Sequence, residues 1–140
     1  MRVLGIDYGE KRTGIAISDE LELIASPLKT ITETNMNNLI TKLHSIIIEN
    51  NVKKIIIGKP LNMNGSSGVR VQKTVEFADN LKEATNLEIE MIDERLTTVT
   101  ATNILNESNF NGSKKRKNII DTLSAVIILQ QYLEKGEKNG

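Results

Sequence analysis

Apolar residues fall into two rhythms along this chain, and the rhythms mark out its elements. Val3-Leu4-Gly5-Ile6 is an unbroken run that predicts a strand from Arg2 to Asp7, and Thr13 to Ser18 predicts a second. The link Tyr8-Gly9-Glu10-Lys11-Arg12, with Gly14 just beyond it, is a hairpin signal. Leu23 to Ile31 predicts a third strand, which Pro27 confines to a sheet edge or a bulge because proline cannot donate to a ladder. Asn35 to Asn50 carries Leu39, Ile40, Leu43, Ile46 and Ile47 at helical spacing. Lys54 to Ile57 is a short β-branched run of the kind buried in parallel sheets, and it ends at Gly58-Lys59-Pro60.

Leu61 to Gly68 is rich in turn residues and predicts a loop. A helix from about Val69 to Ala84 follows, with Val71, Val75, Phe77, Ala78 and Leu81 available for packing. Leu87 to Ile92 alternates apolar and acidic residues, as a half-buried strand does. Thr97 or Thr98 can cap a short helix running to about Ser108. Asn109 to Lys117 reads as a polar, basic loop, Ile119 to Leu133 as the last helix, and residues 135–140 as a flexible tail. The order β-β-β-α-β-α-β-α-α predicts an α/β fold. Its sheet is mixed and five-stranded, three antiparallel strands then two parallel, with helices on both faces. No repeat, low-complexity segment or linker divides residues 1–140, so a single domain is expected.

Composition narrows the class. With 140 residues, 39% of them hydrophobic and 26% charged, the chain can bury one core and is not of the disordered type. It has no cysteine, which excludes a disulfide framework, a thiolate zinc site and a cysteine nucleophile, and fits a reducing cytoplasm. A strand starts at Arg2, so no leader is expected. No apolar run approaches the roughly 18 residues of a membrane span. Lysine plus arginine and aspartate plus glutamate each number 18. A nucleic-acid partner would therefore be held by local basic patches and by metals that offset carboxylates.

Three acids carry the candidate chemistry. Asp7 closes the first strand, Glu94 follows the last one, and Asp121 opens the final helix. Ligands in α/β sheets bind at the carboxyl ends of strands, where two of these acids stand, and a packed helix can bring the third. Three carboxylates around one cleft suit Mg²⁺ or Mn²⁺, and a two-metal carboxylate site is a standard device for in-line attack on a phosphodiester. Each acid alone has a plainer reading. Asp7 could bond the turn at Tyr8-Gly9. Glu94 could pair with Arg95, and Asp93 could be the ligand instead. Asp121 would sit at the third position of a helix capped by Asn118, meeting the helix dipole.

The one dense basic run, Lys114-Lys115-Arg116-Lys117, would lie at the rim of such a site, with Lys11, Arg12, Lys59 and Arg70 extending it and Arg95 as a phosphate clamp. The same run could equally be a solvated loop. Gly58-Lys59-Pro60 is not part of a P-loop. The lone histidine, His44, lies on a predicted helix and gives little support to Ser/His/Asp catalysis.

Four blocks then match a known pattern in order. They are Gly5-Ile6-Asp7-Tyr8-Gly9 with Lys11-Arg12 and Gly14 to Asp19; Gly58 to Ser66 with Phe77-Ala78 and Leu81; Asp93-Glu94-Arg95-Leu96-Thr97-Thr98; and Ile120-Asp121 with Ser124-Ala125 and Ile128-Leu129-Gln130. Together they span nearly the whole chain, and it resembles the YqgF/RuvX family. The resemblance implies an RNase H-like fold and a cytoplasmic bacterial nuclease. Its substrate would be the 5′ end of pre-16S rRNA, free or within a pre-ribosomal particle, with Asp7, Glu94 and Asp121 as catalytic metal ligands. It also implies a likeness to Holliday-junction resolvases, hence a second reading on branched DNA, where paired cuts would require a homodimer rather than a monomer. Glu10 and Ser124 depart from the pattern, standing where a small residue and an alanine are usual. A non-catalytic RNA-binding module in ribosome assembly is a third reading. A sugar-kinase or actin-like ATPase is disfavoured, since it needs two such domains.

Overall fold

A computed structural model of the chain describes residues 1–60, 68–93 and 113–139, without the side chains of 113–119 and 136–139. Its strands are β1 (Arg2–Asp7), β2 (Arg12–Ser18), β3 (Ala25–Thr32), β4 (Val52–Lys59) and β5 (Glu88–Asp93). Its helices are α1 (Met36–Glu49), α2 (Val69–Thr85) and α3 (Ser113–Asn139). The strands form one sheet in the order β3-β2-β1-β4-β5. β1 pairs antiparallel with β2 and parallel with β4; β2 pairs antiparallel with β3, and β4 parallel with β5. This is the mixed sheet that the sequence predicts. Pro27 meets both of its expectations, lying on the edge strand β3 at a register shift opposite Ile15 and Ala16.

Alternation along the strands divides the core in two. Leu4, Ile6, Ile15, Ile55 and Ile57 point to one face and pack with Leu39, Leu43, Phe77 and Leu81 of α1 and α2. Val3, Ala16 and Ile56 point to the other and pack with Ala125, Ile128, Leu129 and Leu133 of α3. The central residues of β1 and β4, Val3 to Ile6 and Ile55 to Ile57, are therefore all apolar or glycine because both of their faces are covered. Asn35 caps α1 by accepting a hydrogen bond from Asn38 N at 3.0 Å. α2 ends at Asn86, whose left-handed φ of 57° lets its N–H reach the Lys82 carbonyl.

Several expectations need correction. Val75 of α2 is exposed, and Thr74 takes the buried position, its hydroxyl donating to the Arg70 carbonyl at 2.8 Å. Residues 113–117, expected as loop, are helical, and α3 continues to Asn139, into the stretch 135–140 expected as a tail. Lysine, arginine, glutamate and glutamine are good helix formers, so a polar run at either end of an apolar helix can extend it. Asn118 is accordingly no cap. The expected helix from Thr97 or Thr98 and the loop at 61–67 lie outside the described residues.

α3 also holds an unusual group. Ser124 Oγ is buried and has no hydrogen-bond partner, among the described residues the one side chain in that position. An unpaired buried hydroxyl costs about 1–3 kcal/mol. Ser124→Ala is therefore expected to raise the denaturation midpoint, by about 1 kcal/mol of stability, without altering the site. A lower midpoint would show that the hydroxyl has a partner in solution.

Candidate active site

Asp7 is the last residue of β1, and its neighbour across the ladder is Gly14 of β2. Since Val3 faces α3, alternation puts Gly5 and Asp7 on that face too. On β2 the same rule aligns Arg12 and Gly14 with Ala16. α3 lies directly on this surface. A Cβ added to Gly14 would stand 2.0 Å from the carbonyl oxygen of Asp121, and one added to Gly5 would stand 2.7 Å from Leu129 Cβ. The two glycines thus let a helix backbone descend onto the strands. At Gly14 the descending residue is Asp121 itself, beside the position of Asp7. The structure brings these two acids to the same face and the same end of the sheet.

Polar contacts fix α3 in place. Arg12 Nε donates to Asp121 Oδ2 at 2.8 Å. The hydroxyls of Thr30 and Thr122 meet at 2.6 Å. Further along, Gln130 accepts from Ala25 N at 2.8 Å and donates to the Leu23 carbonyl at 3.2 Å. Burial pushes the Asp121 carboxyl above the usual aspartate value, more than the neighbouring Arg12 pulls it down.

The turn between β1 and β2 is tied on its other side to α2. The Tyr8 ring stacks on Phe77, with centroids 4.4 Å apart and planes at 14°. Glu10 accepts from Lys73, and that bond and charge, with Arg70 and Lys11 nearby, hold its carboxyl below the usual range. The extra acid is thereby matched by local cations rather than left facing Asp7. Lys73 escaped the sequence reading because, within an amphipathic helix, nothing local distinguishes it from other solvated lysines. Gly9 is also required as glycine, since a Cβ there would stand 2.2 Å from the Arg12 carbonyl oxygen.

The remaining expected residues divide. Lys59 and Asp93 end β4 and β5 in register with each other. Alternation from Ile57 and Met91 sets both on the α1/α2 face of the sheet, opposite to that of Asp7. Lys11 and Arg70 are exposed on the α2 side of the turn. The backbone of Lys114 to Lys117 is helical, and at 1.5 Å per residue Lys114 lies about 10 Å before Asp121 along α3. Glu94 and Arg95 lie outside the described residues. Among the described residues no three His, Cys, Asp or Glu side chains form a metal-holding group.

Comparison with known proteins now decides the family. The profile of RuvX, described as Holliday junction resolvase, matches residues 1–135. This chain belongs to the RuvX family. Among its RuvX relatives, a protein of Ruminiclostridium cellulolyticum named "Putative pre-16S rRNA nuclease" is 45% identical over 136 residues, covering 96% of this chain and 95% of its own. A protein of Thermoanaerobacter pseudethanolicus with the same name is 45% identical over 139 residues, covering 99% of both chains. In structure, the RuvX chain is similar to RuvC of T. thermophilus in complex with a Holliday junction substrate, with a TM-score of 0.61 at 10% identity over 98% of this chain and 96% of that one. It is also similar to the Fowlpox virus resolvase bound to junction DNA, with a TM-score of 0.55 at 13% identity over 96% and 98%. These likenesses establish the RNase H-like fold. No helix among the described residues is long and apolar enough to cross a membrane.

Proposed function

We propose that this chain is a metal-dependent nuclease that hydrolyses phosphodiester bonds of structured RNA in maturing the 5′ end of pre-16S rRNA. The observation that supports the reading is that Gly14, the ladder neighbour of Asp7, is also where the Asp121 backbone meets the sheet. The full-length relatives at 45% identity, named for this substrate, support the choice of RNA.

The donor set fits a hard divalent cation. Asp7 and Asp121 offer carboxylate oxygens from a central strand and a rigid helix, with Glu94 as the third ligand. Mg²⁺ or Mn²⁺ bound there, as a pair, would activate the attacking water and stabilise the leaving 3′ oxygen. The chain's own residues do the rest. β1 holds Asp7 at the sheet's carboxyl end, where a substrate phosphate can approach. α3, pinned to β2 and β3, keeps Asp121 in register with it. Arg12, Arg95 and the cations of the α3 amino end bind phosphates and set the strand's path across the site. Lys11, Lys59 and Arg70 extend this surface past the α2 side of the turn.

The family description and the fold of the junction-bound resolvases favour a second substrate, four-way DNA junctions. Purified protein should be offered a 5′-extended 16S rRNA precursor fragment and an immobile four-way junction, with Mg²⁺, with Mn²⁺ and with chelator. Metal-dependent cutting of the RNA alone is the expected result. Paired cuts in the junction would transfer the reading to DNA, and cutting of neither would leave an RNA-binding module.

A further inference from the structure

Resting on the nuclease reading above, we propose that Arg12 is an exchangeable counter-ion. It holds Asp121 while the site lacks a cation, and passes to a substrate phosphate when a divalent cation takes that carboxylate.

Three observations converge on this exchange. The first is position. Arg12 opens β2 and shares a sheet face with Gly14, one alternate residue nearer the end where Asp7 lies. Its stem therefore rises at the end of the sheet, beyond the Asp7 and Gly14 pair. The second is mobility. Asp121 cannot withdraw, because its own backbone rests against Gly14 and the neighbouring Thr122 is bonded to Thr30. Its side chain is 19% exposed, against 36% for Arg12. The longer and more exposed partner is therefore the freer of the two to rearrange. The third is chemistry. A guanidinium 2.8 Å from Asp121 Oδ2 stands where a cation bound to that oxygen would repel it. Of its five donors the Asp121 bond uses one, and the planar fork matches phosphate as well as it matches carboxylate. The charge balance closes: the arginine covers the carboxylate before loading and the phosphate after it. A purely structural salt bridge would behave oppositely, stabilising the site in both states.

The test reads metal and RNA binding separately, without relying on turnover. Mn²⁺ binding to the full chain is measured by electron paramagnetic resonance for wild type, Arg12→Gln, Arg12→Lys and Asp121→Asn. Binding of the precursor fragment is then measured with Ca²⁺ over a series of salt concentrations. Arg12→Gln is expected to bind Mn²⁺ about three- to tenfold tighter, as loss of a neighbouring positive charge dictates. It should bind the RNA more weakly, with a salt slope smaller by about one phosphate contact. Arg12→Lys should restore the wild-type Mn²⁺ affinity but not the full RNA affinity. If Arg12→Gln fails to fold, Arg12→Ala serves as the second truncation. Unchanged or weaker Mn²⁺ binding by the truncations, with binding lost in Asp121→Asn, would overturn the exchange alone. Undiminished Mn²⁺ binding by Asp121→Asn would overturn the site reading beneath it.

Discussion

Asp7→Asn is expected to abolish cleavage of the precursor RNA while leaving the fold standing. The substitution keeps the size and planarity of the side chain and removes its charge, so the loss falls on the donor set. Partners one shell away from a bound metal already cost about 10–100-fold when removed, so a direct ligand should cost more than about a hundredfold. The fold should tolerate the change because Asp7 ends its strand at a half-exposed position, outside both apolar clusters. Point substitutions centre on about 1 kcal/mol of destabilisation, and a near-isosteric one outside the apolar core is expected to stay near that figure. Circular dichroism and a thermal melt check the fold, and a single-turnover cleavage assay checks the chemistry. Full activity in the mutant would remove Asp7 from the mechanism.

Gly14→Ala should do the reverse, striking structure and activity together. The new methyl would meet the Asp121 carbonyl oxygen at 2.0 Å, its carbon at 2.3 Å and Thr122 N at 2.9 Å. All three are backbone atoms, so no side-chain rotation relieves the clash. Either α3 lifts from the sheet or β2 bends. Overpacking of ordinary side chains costs about 1–3 kcal/mol, and a backbone-to-backbone clash belongs at or above the top of that range. Protein that still folds would carry Asp121 displaced from Asp7, and a 1 Å misplacement near a reaction centre can cost about a hundredfold in rate. Urea denaturation and cleavage measured on the folded fraction test the two halves. A wild-type midpoint for Gly14→Ala would show that the close contact does not exist in solution.

How much of this was legible in the sequence depends on whether the cause was local. β1 and β4 announced themselves as apolar runs because both sheet faces bury them, and Pro27 marked the edge strand by its missing donor. Asp7 was legible because its strand delivers it to the sheet's carboxyl end. The extent of α3 was not, since Lys114 to Lys117 look alike in a loop and in a helix. Thr74 and Val75 are adjacent, and only the packing of α2 decides which is buried. Gly14 reads as a turn residue, yet its indispensable contact is with a helix far along the chain. The Arg12–Asp121 pair leaves no local mark at all. Glu94 was legible from its place just past the last strand, and the resemblance named it again, but the described residues do not reach it.

That pair joins residues 109 positions apart, and the helix that carries Asp121 follows every described strand of the sheet in the chain. A ribosome delivers the chain amino end first, so the sheet strands and both helices of the opposite face emerge before α3 does. Closing such a long loop also carries a large entropic cost. Asp7 and Asp121 can therefore be brought to one face only once α3 has emerged and packed on the sheet.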